Sequence, residues 1–168
     1  MTLRLILTRH AKSEWNNPFD SDHQRPLNAR GRRSAPLIGR WLAARGFLPQ
    51  EALVSDAART RETWTLLSAE LPDAPAPKFD AILYHAPPAT MRAVLRAARQ
   101  PCVIMIGHNP GIAGFAASLV RAQPDHPKFG RYPTCGTLIA DFDIPDWSQL
   151  DWQQGTLRDF ITPRELEG

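Results

Sequence analysis

Cysteine is scarce in this chain: there are two among 168 residues, Cys102 and Cys135, and they form no CxxC pair. Neither HxxxH, HExxH nor any paired Cys/His spacing occurs, so no metal site is expected. Folding does not require a metal or disulfide staple, because a chain of this length buries a sizeable core unaided. Cys102 sits in an apolar run and reads as a core residue, which fits a reducing, cytoplasmic setting. Long hydrophobic runs are missing too. The first apolar stretch is cut after a few residues by Arg9 and His10. No signal peptide and no membrane partner are therefore expected.

Charge of one sign is also lacking. Twenty basic residues face 17 acidic ones, a net charge of +3 with no basic tail. Nucleic acid is accordingly not the expected partner. The basic excess is arginine, whose planar fork suits a small phosphorylated group. Internal repeats, low-complexity tracts and linkers are absent, so residues 1–168 read as one domain. No dimerisation arm is evident, and a monomer is expected. The 16 prolines fall mostly between the apolar runs and read as stiff connections.

What is present alternates. Leu3–Leu7 reads as a strand and the polar stretch 11–24 as an irregular loop. Leu37, Ile38, Trp41 and Leu42 recur at helical spacing, and Gly46 after Arg45 is a C-terminal cap. Pro36 places the start of that regular helix near itself. Ala52–Val54 is a second short strand and Ala57–Leu71 a second helix. Phe79–Leu83 is either strand or loop, and Thr90–Arg99 is a helix. Cys102–Ile106 is uniformly apolar, as a central parallel strand covered on both faces should be. Ile112–Val120 is a helix, and Thr137–Phe142 and Leu157–Ile161 are late strands. The pattern predicts an α/β fold, a three-layer α/β/α sandwich with a mostly parallel central sheet.

In such sheets ligands bind beyond the carboxyl ends of the strands. Here those ends deliver Arg9-His10, the segment Ser55 to Arg59, and Gly107-His108-Asn109-Pro110-Gly111. An imidazole nitrogen can attack phosphorus and carry the phosphoryl group covalently, splitting one hard displacement into two easier ones. Fixed cations and N–H donors stabilise the charge on the transferring oxygens. His10 is the candidate nucleophile, with Arg9, Arg59 and His108 as the oxygen-binding groups. Gly107 would let the backbone approach a bound anion, and the helix starting at Gly111 would add partial positive charge.

These segments together resemble the histidine phosphatase superfamily, the phosphoglycerate mutase-like fold. Thr8-Arg9-His10-Ala11-Lys12 is similar to its signature after the first strand, with Ala11 where Gly is usual. Arg25-Pro26-Leu27-Asn28-Ala29-Arg30-Gly31 is similar to a segment of its small bacterial branch, the SixA-like phosphohistidine phosphatases. Ser55 to Thr63 resembles the second-arginine segment and maps the binding arginine to Arg59 rather than Arg61. Leu83-Tyr84-His85-Ala86 and Gly107-His108-Asn109-Pro110 follow in order. The resemblance implies phosphoryl transfer through a phosphohistidine with no metal or other cofactor. Its substrate would be a phosphorylated protein or a small phosphorylated molecule. Larger relatives supply a leaving-group proton from a glutamate after the middle strand; Tyr84-His85-Ala86-Pro87 contains none. Asp22 is the first candidate acid, then Asp20, then His85. A P–N substrate, whose leaving nitrogen can already be protonated, depends less on such an acid.

Lys12, Ser13 and Asn16, just after the nucleophile, are candidate substrate-binding residues. Arg61 and Arg32 read as surface decoration, His23 and His126 as exposed. Trp41, Trp64, Trp147 and Trp152 read as packing residues. Trp15 either borders the substrate entrance or packs, and packing is the plainer reading. Two other functions fit the same residues: a phosphosugar mutase or phosphatase, and a non-catalytic module that only recognises phosphate.

Overall fold

The computed structural model describes residues 2–167. A six-stranded sheet runs in the order β3-β2-β4-β1-β5-β6. Its strands are β1 (Leu3–Arg9), β2 (Glu51–Ser55), β3 (Pro77–Asp80), β4 (Cys102–Gly107), β5 (Thr137–Phe142) and β6 (Thr156–Ile161). The first four pair in parallel; β5 joins β1, and β6 joins β5, antiparallel. The sheet is thus mostly parallel, with an antiparallel margin.

Helices cover both faces. They are α1 (Ala29–Arg45), α2 (Ala58–Ser68), α3 (Pro88–Arg96), α4 (Gly111–Leu119) and the short α5 (Pro163–Leu166). β4 shows why two covers are needed. Ile104 and Ile106 join the core of α1 and α2 with Ile38, Leu42 and Leu67, while Val103 and Met105 join that of α3 and α4 with Leu95 and Phe115. Each is fully buried, worth about 1.5–3 kcal/mol per side chain. The uniform apolar run is the imprint of a strand with no solvent face.

Pro36 lies inside α1 instead of near its start. Proline withholds a donor from the helix and costs about 3 kcal/mol in an interior, so tertiary ties must hold the turns ahead of it. They are visible. The Asn28 side chain caps the helix by accepting from the Gly31 N–H at 2.9 Å, and the Asn28 N–H donates to the Lys12 carbonyl at 3.0 Å. Gly31 is required there, since a Cβ would stand 2.1 Å from that same carbonyl. At the other end Gly46 takes φ 74°, the left-handed cap expected after Arg45. The stretch Phe79–Leu83 divides: Phe79 and Asp80 finish β3, and Ala81–Leu83 form a 3₁₀ turn.

The register fixes the site. β2, β4 and β1 are adjacent and parallel, with Val54 opposite Ile106 and Arg9 opposite Gly107. Their carboxyl ends therefore open side by side, and Ser55, His108 and His10 emerge at one edge.

Candidate active site

The loops beyond that edge enclose a cleft of about 220 Å³ lined by Arg9, His10, Arg25, Arg59, His108 and Asp22, with Lys12, Ser13 and His85 at its wall. It is smaller than the roughly 300–1,000 Å³ of drug-sized ligand sites, a fit for a compact charged group. His10 and His108 face each other with ring centroids 5.3 Å apart.

His10 is buried, and its Nδ1 lies 2.7 Å from the carbonyl of Ala11. A carbonyl only accepts, so Nδ1 carries the proton and Nε2 keeps its lone pair. Burial, and then the charges of Arg9, Arg59 and Arg25, push the pKa down to about 3 against the opposing Ala11 bond. The imidazole is uncharged near neutral pH, as a nitrogen nucleophile must be. His108 is lowered to about 2 by burial first, then by His10 and Arg59. Its Nε2 lies 2.7 Å from Ser55 Oγ.

The frame around His10 comes from three segments. Thr63, buried in α2, accepts from the Ala11 N–H at 3.0 Å and donates to the Arg59 carbonyl at 2.7 Å. One hydroxyl thus ties the nucleophile's neighbour to the turn that carries Arg59. The Cys135 N–H donates to the carbonyls of Arg9 and His10 at 3.0 and 2.9 Å. Tyr132, fully buried, accepts from the Leu138 N–H at 3.1 Å, donates its hydroxyl proton to the Leu7 carbonyl, and offers its own carbonyl to Arg9 Nη1 at 3.2 Å. His85, Tyr132 and Cys135 all hold positive φ, between 50° and 61°, and such backbone outliers cluster where a site must be held in one shape.

Asp22 sits at the mouth of the cleft as an anion. It accepts from Arg25 Nη2 at 2.9 Å and Arg59 Nη2 at 3.1 Å, lies 3.0 Å from His85 Nε2, and receives the Tyr84 hydroxyl. Burial alone would raise its pKa, but the bonds from Tyr84, Arg25 and His85 outweigh that and hold it well below the usual carboxylate range. Among the described residues, four buried side-chain polar atoms have no hydrogen-bond partner: Arg9 Nε, Arg25 Nε, Arg59 Nε and His108 Nδ1. All four belong to this cleft. No group of three or more potential metal ligands is gathered among the described residues.

Most of the sequence-predicted residues meet here, with differences. Asn16 does not reach the cleft; it is exposed, and its N–H turns back to Glu14 at 3.0 Å. The short Asn16 side chain rides a loop whose turn is closed by Glu14. Asp20 also lies outside the cleft lining. Trp15 is not packed in a core: it is 69% exposed and stacks on Arg25, whose guanidinium carbon lies 3.5 Å from its ring centroid. At Gly107 a Cβ would meet only Met91 Cε, at an ordinary 3.5 Å. The glycine under close approach is Gly111, where a Cβ would fall 1.9 Å from the Ala86 carbonyl. The first amides of α4 are already engaged, since Ile112 N–H donates to the His108 carbonyl at 2.9 Å and Ala113 N–H to Asn109 Oδ1 at 3.3 Å.

Arg25, Tyr84 and Thr63 were not singled out from sequence as site or framing residues. For Arg25 the signal was available: an arginine three residues after Asp22 in a Pro-terminated segment, here buried and donating to Ser13. Arg61 and Arg32 stay at the surface, bonded to the Asp56 carbonyl at 2.8 Å and to Glu62 at 2.9 Å. His23 pairs with Asp56 and His126 with Glu165. Trp64 and Trp147 are buried, and Trp41 and Trp152 pack against the core.

Comparison with known proteins agrees with this geometry. Residues 5–83 match the histidine phosphatase superfamily (branch 1). An uncharacterized Mycobacterium leprae protein is 30% identical over 165 residues, covering 93% of this chain and 99% of that one. An uncharacterized chloroplastic protein of Arabidopsis thaliana is 46% identical over 68 residues, and there the match spans only 31% of its length. Among solved structures, a SixA protein of Nakamurella multipartitia, described as a candidate phosphohistidine phosphatase, superposes with a TM-score of 0.81 at 25% identity, covering 97% of both chains. The protein histidine phosphatase SixA in complex with tungstate has the same fold, with a TM-score of 0.78 at 20% identity over 98% of this chain and all of that one. The family match takes in the segments that carry Arg9, His10, Arg25 and Arg59, and the chain belongs to the histidine phosphatase superfamily.

Proposed function

We propose that this protein is a metal-independent phosphatase working through a phosphohistidine on His10, with phosphohistidine in a protein, or a small phosphoramidate or phosphomonoester, as substrate. The observation that carries the reading is the set of three unpartnered buried arginine Nε–H donors, with the unpartnered His108 Nδ1 beside them, around one uncharged histidine. Leaving a buried donor unpaired costs about 1–3 kcal/mol. Three such donors in one cleft are accounted for by a ligand with several acceptor oxygens, such as a phosphoryl group.

In the first step the Nε2 lone pair attacks phosphorus, and the bond from phosphorus to the leaving nitrogen or oxygen breaks with its electron pair. Arg9, Arg25, Arg59 and His108 bind the non-bridging oxygens, where charge spreads in the transition state. The Nδ1–H bond to Ala11 holds the ring and stabilises the positive charge that grows on it. In the second step water attacks the phosphorus of phospho-His10, releasing inorganic phosphate and restoring the lone pair. Lys12 and Ser13, on the cleft wall, are proposed to contact the substrate.

Asp22 is the proposed proton donor for oxygen leaving groups. Ionised in the empty cleft, it must first gain a proton. A bound phosphoryl group raises its proton affinity by drawing Arg25 and Arg59 away and placing negative charge nearby. A P–N substrate needs this less, and the SixA likeness supports such a substrate. Labelled substrate should leave acid-labile phosphate on His10, and His10→Ala should abolish turnover of phosphohistidine peptide and phosphoramidate alike. Full activity in that variant would sink the mechanism.

A further inference from the structure

The largest cleft described, about 620 Å³, lies away from the histidines, between α1 and the C-terminal segment. Arg30, Arg33 and Arg40 line it over an apolar floor of Pro36, Leu37 and Leu166. A smaller cleft of about 90 Å³, lined by Arg30, Lys128, Arg164, Thr134 and Thr162, adjoins both. It shares Thr134 with the phosphoryl cleft and Arg30 with the large one. Through these shared residues the three clefts follow one another over the surface as a track.

Much of the charge on that track is uncompensated. On α1, Arg32, Arg40 and Arg45 are each tied to a carboxylate, namely Glu62, Glu70 and Asp159. Arg30, Arg33, Lys128 and Arg164 are exposed, and among the described residues none of them has an ion-pair partner. No carboxylate lines the smaller cleft. Of the acids at its edges, Glu165 is taken by His126 and by the Thr162 N–H, and Glu70 by Arg40. Among the described residues Glu167, at the far end, is the one carboxylate facing the track without such a partner.

We infer that this track docks an acidic polypeptide segment flanking the phosphorylated residue of a protein substrate. The inference rests on the phosphatase reading above and narrows its substrate class. A cleft of about 90 Å³ between three cations suits one carboxylate at a time, and the apolar floor beyond suits interspersed aliphatic side chains. No aromatic ring lines either cleft, so nothing offers the stacking platform that single-stranded nucleic acid uses.

The test compares Arg30→Glu/Lys128→Glu/Arg164→Glu with the parent and with Arg121→Glu, an exposed arginine off the track. Turnover is measured on a glutamate-flanked phosphohistidine peptide, its glutamine-flanked counterpart and free phosphoramidate. Anisotropy of a labelled, unphosphorylated glutamate-rich peptide reports docking independently of chemistry. The triple variant should raise KM for the acidic peptide tenfold or more, in a salt-sensitive way, and weaken the anisotropy signal equally. Phosphoramidate turnover should stay within twofold of the parent, which also certifies the fold. Equal losses on both peptides, or no loss on the acidic one, would overturn the inference. Docking of the acidic peptide with no turnover of any substrate would instead overturn the phosphatase reading and leave the surface standing.

Discussion

Thr63→Val deletes one hydroxyl without changing side-chain shape. That hydroxyl is the partner of the Ala11 N–H, and the Ala11 carbonyl in turn holds the Nδ1–H of His10. Valine leaves the Ala11 N–H buried and unpaired, a cost of about 1–3 kcal/mol. The Arg59 carbonyl loses its second donor but sits in the first turn of α2, so its share is smaller. For a domain of this size each kcal/mol lowers Tm by about 2–4 °C, so a fall of about 5 °C is expected in thermal unfolding followed by circular dichroism. Activity should fall further than stability. A released Ala11 lets the His10 ring turn, and misplacing a reacting group by about 1 Å costs up to about 100-fold. Thr63→Ser keeps the hydroxyl and should recover most of kcat. The reasoning is refuted if valine shifts Tm by less than about 1 °C and leaves kcat intact.

Two other outcomes test the electrostatics. With native pKa values of about 3 and 2 against an ordinary 6.5, neither His10 nor His108 should titrate between pH 5 and 8 in imidazole NMR. The unfolded chain does take up protons below pH 6.5, so stability is present above that pH and lost as pH falls toward 3. The loss is about 2 kcal/mol per histidine by pH 5, and denaturant midpoints at pH 7 and 5 measure it; an NMR midpoint near 6.5 for His10 would contradict its buried neutral state. Asp22→Asn should slow an aryl phosphate ester by about 100-fold or more, the usual worth of a general acid, while slowing a phosphoramidate far less. Equal effects on both would remove Asp22 from the donor role.

Much of the site was legible because its residues follow strand ends. Arg9, His10 and His108 are placed by β1 and β4, whose apolar runs are short and distinct, and chain direction does the rest. Arg59 was legible through its spacing from Ser55 and Thr63, and the structure gives that spacing a cause, since Ser55 bonds His108 and Thr63 bonds Ala11. What sequence could not supply were contacts made across the fold. Pro36 argues locally against a helix that Asn28 and Lys12 nonetheless hold. Trp15 looks like a core residue until Arg25 arrives beneath it. Hydropathy does not reveal that β5 runs antiparallel, because a strand buried on both sides reads the same in either direction.

Asp22 also decides how anions come and go. Tethered beside Arg25 and Arg59, with 42% of its side chain still in solvent, it is a resident competitor at a high effective concentration. An incoming phosphate therefore exchanges with a carboxylate and does not fall onto bare cations. The net gain is a difference between two similar ion pairs. On the proposed phosphatase reading, the same exchange would run backwards at the end of a cycle, when the returning carboxylate would displace orthophosphate. A phosphatase built this way would sacrifice product affinity and keep its cleft from silting up with the commonest free anion of its own making.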